Sequence, residues 1–257
     1  MDHRLFDKQP LLNTRVNNLT MTETLECIEY LIETGQKSYV VEVNVDVIIR
    51  IEEDPYLQRI VDEADLVLVD GQPLVWISRW HKRPVQTRIA GSDMVPRLCE
   101  EAAARGQRIF IIGGQEDVTR NAKEKLEERL PDLKITGTYS PPMGFETDPV
   151  EQELINEMIS AARPDILIAC FGCPKQEKWI YENYRKYDAT VSVCAGATVD
   201  FLAGAKKRAP AWMGRWGLEW LFRLCQEPKR MFRRYFIDDL KIFRLIRKYG
   251  KINRANE

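Results

Sequence analysis

Five short runs of aliphatic and β-branched residues recur along the chain: YVVEV (39–43), LVLV (66–69), RIFII (108–112), DILIACF (165–171) and ATVSVCA (189–195). Each is close to continuously apolar, which is the pattern of a strand buried on both faces. Around and between them lie stretches at 20–34, 92–105, 116–130, 149–162 and 174–187 whose apolar residues return every three or four positions. That period predicts amphipathic helices. Ser92 and Asp93 are suited to cap the second helix, Gly35 and Gly106 to end the first two, and Pro174 to sit in a first helical turn. Alternating strands and helices of this kind predict an α/β fold, a Rossmann-like, mostly parallel sheet covered by helices.

The pattern changes near Lys206. Beyond it no strand is predicted, only helical periodicity from about 213 to 226 and from 229 to 249. The expected organisation is therefore an α/β domain at 1–204 and a helical appendage at 205–257. Trp212, Trp216 and Trp220 follow one another at a spacing of four, which places three indoles on one helical face. Arg223, Arg230 and Arg233 would share a face of a continuous helix in the same way.

Charge sharpens this division. The net charge is only −1, yet 205–257 holds 15 Lys and Arg against 5 Asp and Glu, leaving 23 basic and 34 acidic residues in 1–204. A basic, aromatic-rich tail on an acidic body fits an anionic partner: a membrane surface, a diphosphate or a nucleic acid. No apolar run reaches the roughly 18 residues of a membrane span, and the polar, acidic start MDHRLFDKQPLLNT is not a signal peptide. The six cysteines sit mostly in apolar segments, without the spacing of a secreted disulfide scaffold. These features point to a cytoplasmic protein, peripheral on the inner face of the membrane.

Ligands of parallel sheets bind beyond the carboxyl ends of the strands. That rule singles out four loops. Glu42 and Asn44 close the first strand, where Asn44 is also placed to cap a following helix. Asp70-Gly71 follows LVLV, and a carboxylate there, beside a glycine that lets a substrate approach, suits a general base. Gly113-Gly114 opens a strand-to-helix turn with backbone N–H groups for a phosphate, but it lacks the G-x-G-x-x-G context of a dinucleotide site. Gly172-Cys173-Pro174-Lys175-Gln176-Glu177 precedes a helix whose positive end suits a diphosphate. Cys170-x-x-Cys173 has no second cysteine pair or nearby histidine, so no metal site is expected.

Several dispersed segments, in order, resemble one family. GATVDFLAG (196–204), KRAP-x-W (207–212), GLEWL-x-RL (217–224), TRIAGSDM (87–94) and the G-x-P-K-Q-E of 172–177 are similar to the WecG/TagA/CpsF glycosyltransferases (glycosyltransferase family 26). The resemblance spans roughly residues 12–240. It implies an inverting transferase that moves a sugar from a UDP-sugar to a polyprenyl-diphosphate-linked sugar in cell-surface polysaccharide or teichoic acid synthesis. The best-known family reaction adds N-acetylmannosamine in β-1,4 linkage to N-acetylglucosamine on undecaprenyl diphosphate. The resemblance further implies Asp70 as base, Arg88 near the active site, Gln176 at nucleotide or sugar and Asp200 near the nucleotide. Arg223, Arg230 and Arg233 would hold the departing diphosphate. It implies no metal and no cofactor, the arginines standing in for a cation. Glu42 departs from the family's Thr-x-Asn, which keeps another donor such as UDP-glucose in play. Expected partners are thus a UDP-sugar, the lipid-linked acceptor and the membrane surface, and a homo-oligomer is compatible with the sequence. The acidic body argues against a nucleic-acid module.

Overall fold

The computed structural model describes residues 3–207, 209, 210, 213 and 217–255, the side chains of Arg230 and of 251–255 excepted. A short hairpin, β1 (Lys8–Leu11) and β2 (Thr14–Asn17), leads into α1 (Met21–Thr34). Then come β3 (Ser38–Val43), α2 (Val45–Glu53), α3 (Pro55–Glu63), β4 (Leu66–Val69), α4 (Gln72–Trp80) and α5 (Gly91–Arg105). The second half of the sheet is built from β5 (Arg108–Gly113), α6 (Glu116–Arg129), β6 (Lys134–Tyr139), α7 (Pro149–Ala162), β7 (Ile166–Cys170), α8 (Lys175–Asn183) and β8 (Val191–Cys194). After α9 (Thr198–Leu202) the described tail forms α10 (Glu219–Gln226), α11 (Pro228–Arg233), a π-helical turn at Arg234–Asp238 and α12 (Lys241–Ala255).

The main sheet has six strands in the order β4-β3-β8-β7-β5-β6, and every pair in it is parallel. Alternate residues face opposite sides. Tyr39, Val41 and Val43 join Val67, Val69, Phe110 and Ile112 in one core layer, while Val40, Leu66, Leu68, Ile109 and Ile111 belong to the other. Both faces are covered by helices, so the α/β, Rossmann-like expectation holds.

The first two helix ends form as the residue types dictate. Thr20 and Glu23 close a capping box at the start of α1. Gly35 and Gly106 end α1 and α5 in the left-handed conformation, at φ 67° and 68°. The start of α5 differs from expectation: Ala90 is its cap residue, and Ser92 and Asp93 lie inside the first turn. Asp93 is instead drawn to Arg88, at 3.0 Å. Pro174 stands at the cap position of α8, after a cis Cys173–Pro174 peptide.

The tail is not one continuous helix. It breaks at Glu227 before Pro228, so Arg223 lies on α10 and Arg233 at the end of α11 rather than on a shared face. Trp212 and Trp216 lie outside the described residues, as does the Arg230 side chain, so of the Trp ridge only Trp220 is seen. At its far end the tail is fastened to the body. Ile242 and Leu245 of α12 are buried, while Lys248 and Tyr249 both bond Glu52 of α2, at 2.7 and 2.9 Å. No helix among the described residues is long and apolar enough to cross a membrane.

Candidate active site

Four adjacent strands, β4, β3, β8 and β7, end side by side, and their carboxyl ends supply one site. Asp70 follows β4 directly. Its backbone N–H donates to the Val43 carbonyl at 2.8 Å, which keeps the loop paired with β3. Gly71, at φ 144°, then turns the chain into α4. Asn44 follows β3, and its Oδ1 accepts from the Val47 N–H at 3.2 Å, capping α2. The same oxygen accepts from Arg234 of the tail at 3.4 Å. Asn44 thus serves helix and site together.

Two chambers meet at Asp70. The larger, about 480 Å³, is floored by Glu42, Gly172, Gln176 and Thr198 and roofed by Arg223, Arg233 and Arg234. The smaller, about 340 Å³, runs past Gly71, Pro73 and Arg88 to Trp220, Tyr235 and Phe236. Asn44, Asp70, Arg223 and Arg234 line both. Asp70 therefore faces a polar, guanidinium-lined space on one side and a space edged by aromatic rings on the other.

The charges around Asp70 are interlocked. Arg88 donates to Glu219 at 2.5 Å and to Asp93 at 3.0 Å, and Arg223 donates to Glu219 at 2.7 Å. The Arg223 guanidinium also lies 5.9 Å from the centre of the Phe201 ring. Burial pushes the Asp70 carboxyl above the ordinary carboxylate range, and Arg223, Arg88 and Arg234 restrain that rise. Burial also opposes ionisation of Glu219, yet Arg223 and Arg88 beside it hold its carboxyl below the usual range. The result is a carboxyl raised above its ordinary range, adjoining cations that are held in place.

Glu42 sits one residue before the end of β3 and follows Val40 to the side of α5 and α9. Its carboxyl is held well above the usual range by burial and by the neighbouring Asp70, against one hydrogen bond from the Gly91 backbone.

Gln176 lines the floor of the larger chamber, and its side chain is engaged by the protein. It is 5% exposed, its Oε1 accepts from the backbone N–H groups of Gly172 at 3.1 Å and Gly196 at 3.0 Å, and its Nε2 donates to Glu177 at 2.9 Å. The Gly172 amide, just before the helix start expected to face a diphosphate, is thereby engaged within the protein. Gln176 clamps the ends of β7 and β8 together under the chamber. Gln176→Ala would leave two amides without partners and take one hydrogen bond from the buried Glu177 carboxyl, and is expected to cost about 2–4 kcal/mol of unfolding free energy in urea titrations.

Gly113 and Gly114 lie one strand further along. They line a separate cavity of about 480 Å³ with Lys175, Lys206 and Asp200. Asp200 is paired there with Lys206 at 2.9 Å. A Cβ on Gly113 would stand 2.7 Å from the Cys170 backbone, and one on Gly114 2.9 Å from Thr119 and Val199, so close packing demands both glycines. Arg50 and Arg234, both lining the larger chamber, were not singled out from the sequence. Arg234 is adjacent to Arg233, which was, and Arg50 belongs to α2, whose periodicity is too short to stand out. Among the described residues no group of three or more His, Cys, Asp or Glu is placed to hold a metal ion. Burial raises the Cys170 thiol to about 12.

Comparison with known proteins places the chain in a family. The profile of the Glycosyl transferase WecG/TagA/CpsF family matches residues 9–256. A Bacillus subtilis (strain 168) N-acetylglucosaminyldiphosphoundecaprenol N-acetyl-beta-D-mannosaminyltransferase is 31% identical over 214 residues, covering 83% of this chain and 81% of the relative. Relatives of the same name from Bacillus spizizenii and Staphylococcus aureus (strain MW2) are 29% and 25% identical, covering 77% and 88% of this chain and 75% and 87% of their own lengths. Matched across almost its whole length, the chain belongs to the WecG/TagA/CpsF family of glycosyltransferases.

Proposed function

We propose that this enzyme transfers N-acetylmannosamine from its UDP derivative to N-acetylglucosamine carried on a polyprenyl diphosphate, with inversion at the anomeric carbon. The observation that carries this is Asp70 at the junction of two chambers of different character. The larger chamber takes the UDP-sugar, its diphosphate under Arg223 and Arg234. The smaller takes the acceptor sugar, whose lipid leaves past Trp220 and Phe236. Asp70 removes the proton from the acceptor hydroxyl as its oxygen bonds to the anomeric carbon, and the carbon–oxygen bond to UDP breaks with its electron pair passing to the diphosphate. The guanidiniums meet that charge in place of a divalent cation.

The acceptor's lipid fits the tail's outer side. Phe232, Phe236, Ile237, Leu240 and Phe243 are exposed there, on a segment rich in Lys and Arg. An amphipathic face of this kind rests on the inner leaflet with its cations among anionic headgroups. The relatives' names specify the acceptor, and the same names favour N-acetylmannosamine over glucose as the transferred sugar.

A donor screen tests the proposal. With a lipid-diphosphate-N-acetylglucosamine analogue, UDP release is expected from UDP-N-acetylmannosamine, and much less from UDP-N-acetylglucosamine, UDP-glucose or UDP-galactose. Release from no donor above the Asp70→Ala background would end the transferase assignment for this substrate set.

A further inference from the structure

Helix α4 carries its two largest side chains on the outside. Leu74, Val75, Ile77 and Ser78 are buried against the body, whereas Trp76 is 51% and Trp80 66% exposed. A spacing of four puts both indoles on one side of the helix. Indoles left in water forgo the stabilisation that burying their large apolar area would give, so such a face marks a contact with something outside the chain. Neither indole lines the two chambers, and the transfer step uses neither.

The charge around them is of one sign. The body has an excess of acidic residues, yet 71–92 contains no Asp or Glu and four cations, Arg79, Lys82, Arg83 and Arg88. Arg88 turns inward to Glu219 and Asp93. No ion pair among the described residues engages the other three, and Arg79 and Lys82 are exposed. Arg79 stands three residues after Trp76, hence on the same side of α4, and Lys82 and Arg83 follow the helix end. Indoles set among free cations suit the boundary of an anionic bilayer, rings in the headgroup region and cations among the phosphates. An isologous contact with a second copy would instead bring these cations close to their own counterparts.

This surface adjoins the tail. Trp76 rests on Gly217, where a Cβ would stand 2.9 Å from its ring. Past the other end of α4, a Cβ on Gly250 of α12 would stand 3.1 Å from His81 Nε2. Gln72 and Pro73, at the start of α4, line the smaller chamber together with Phe236 of the tail. Body and tail thus each build part of the wall of that chamber.

We propose that the outer side of α4, with Trp76, Arg79 and Trp80 and the Lys82 and Arg83 that follow, is a second membrane-contact site, carried by the α/β body and seated on anionic lipid headgroups; this rests on the placement of the tail on the leaflet proposed above. Contact at two points fixes orientation as well as distance. It holds the smaller chamber at the bilayer surface, where a lipid-linked sugar is presented. Linked contacts reinforce each other, so loss of the α4 contact weakens attachment even with the tail intact.

Flotation of the full chain tests this, with vesicles of phosphatidylglycerol and phosphatidylcholine in equal parts and with vesicles of phosphatidylcholine alone. W76S/W80S is expected to lower the partition coefficient about tenfold or more on both. R79E/K82E is expected to lower it as much on the anionic vesicles and less than about twofold on phosphatidylcholine. W80S and R79E/K82E should keep kcat/KM with a water-soluble acceptor within about twofold of wild type, since neither touches the site. If W76S/W80S does not fold, W80S takes its place, with an expected loss of about threefold or more. Wild-type partition of both W80S and R79E/K82E on anionic vesicles overturns the inference. So does a wild-type oligomer that W80S dissociates without any change in vesicle binding. Wild type that floats with neither vesicle overturns the placement of the tail along with it. Wild type inactive with every donor removes the transfer reaction, while the vesicle comparison still decides the α4 contact.

Discussion

Asp70→Asn should lower kcat by about 10²–10⁴-fold, the usual contribution of a positioned general base. The substitution keeps the shape of the side chain, and the bond from residue 70 N–H to the Val43 carbonyl is a backbone bond that it leaves alone. What it removes is the capacity to take a proton from the acceptor hydroxyl. UDP affinity should therefore stay close to wild type while single-turnover transfer collapses. A kcat within threefold of wild type would show that the proton goes elsewhere.

Arg223→Ala should have two separable effects. The first is loss of a cation at the departing diphosphate, a contact of the kind worth about 10²–10³ in rate when removed. The second concerns Asp70, whose raised carboxyl is restrained by Arg223 before any other cation. A base works only when ionised, so activity falls as pH drops through its pKa. Removing the guanidinium lets that pKa rise further, and the acid limb of the kcat/KM profile should move to higher pH. Above the limb only the diphosphate effect remains. A profile scaled down without displacement would mean that Arg223 and Asp70 do not sense each other.

Much of this was written in the chain before any coordinates, though unevenly. The strands at 39–43, 66–69 and 108–112 announced themselves because alternate residues feed two separate apolar layers, so that polar residues, Glu42 and Arg108, fall only near the strand ends. Edge strand β6 stayed hidden for the opposite reason: of KITGTY only Ile135 is buried. The nine-residue helices α2, α3 and α4 present too few turns for a period to declare itself. Asp70, Asn44 and Glu42 were legible because strand ends are where parallel sheets keep their ligands, and the structure brings them to one chamber. Gln176 was located correctly in the chain, but its side chain turned to Gly172 and Gly196, a contact that no spacing in the sequence encodes. Arg234 was passed over for Arg233 by one position. The change of helix type at Arg234–Asp238 lies beyond a 3.6-residue template.

The division of labour between tail and body has a thermodynamic corollary. Arg223 and Arg234 belong to the tail, whereas Asp70 and Asn44 belong to the body, and a diphosphate bound between them touches both. Tail docking and nucleotide binding are then two views of one coupling free energy. Whatever factor a seated tail adds to the affinity for UDP, bound UDP must add to the seating of the tail. The α12 anchor on Glu52 limits how far the segment can stray, lowering the entropy to be recovered each time it reseats. Under the proposed transfer, loss of UDP would loosen Arg223 and Arg234, which also line the smaller chamber. Nucleotide departure and release of the lengthened lipid would then be successive consequences of one event.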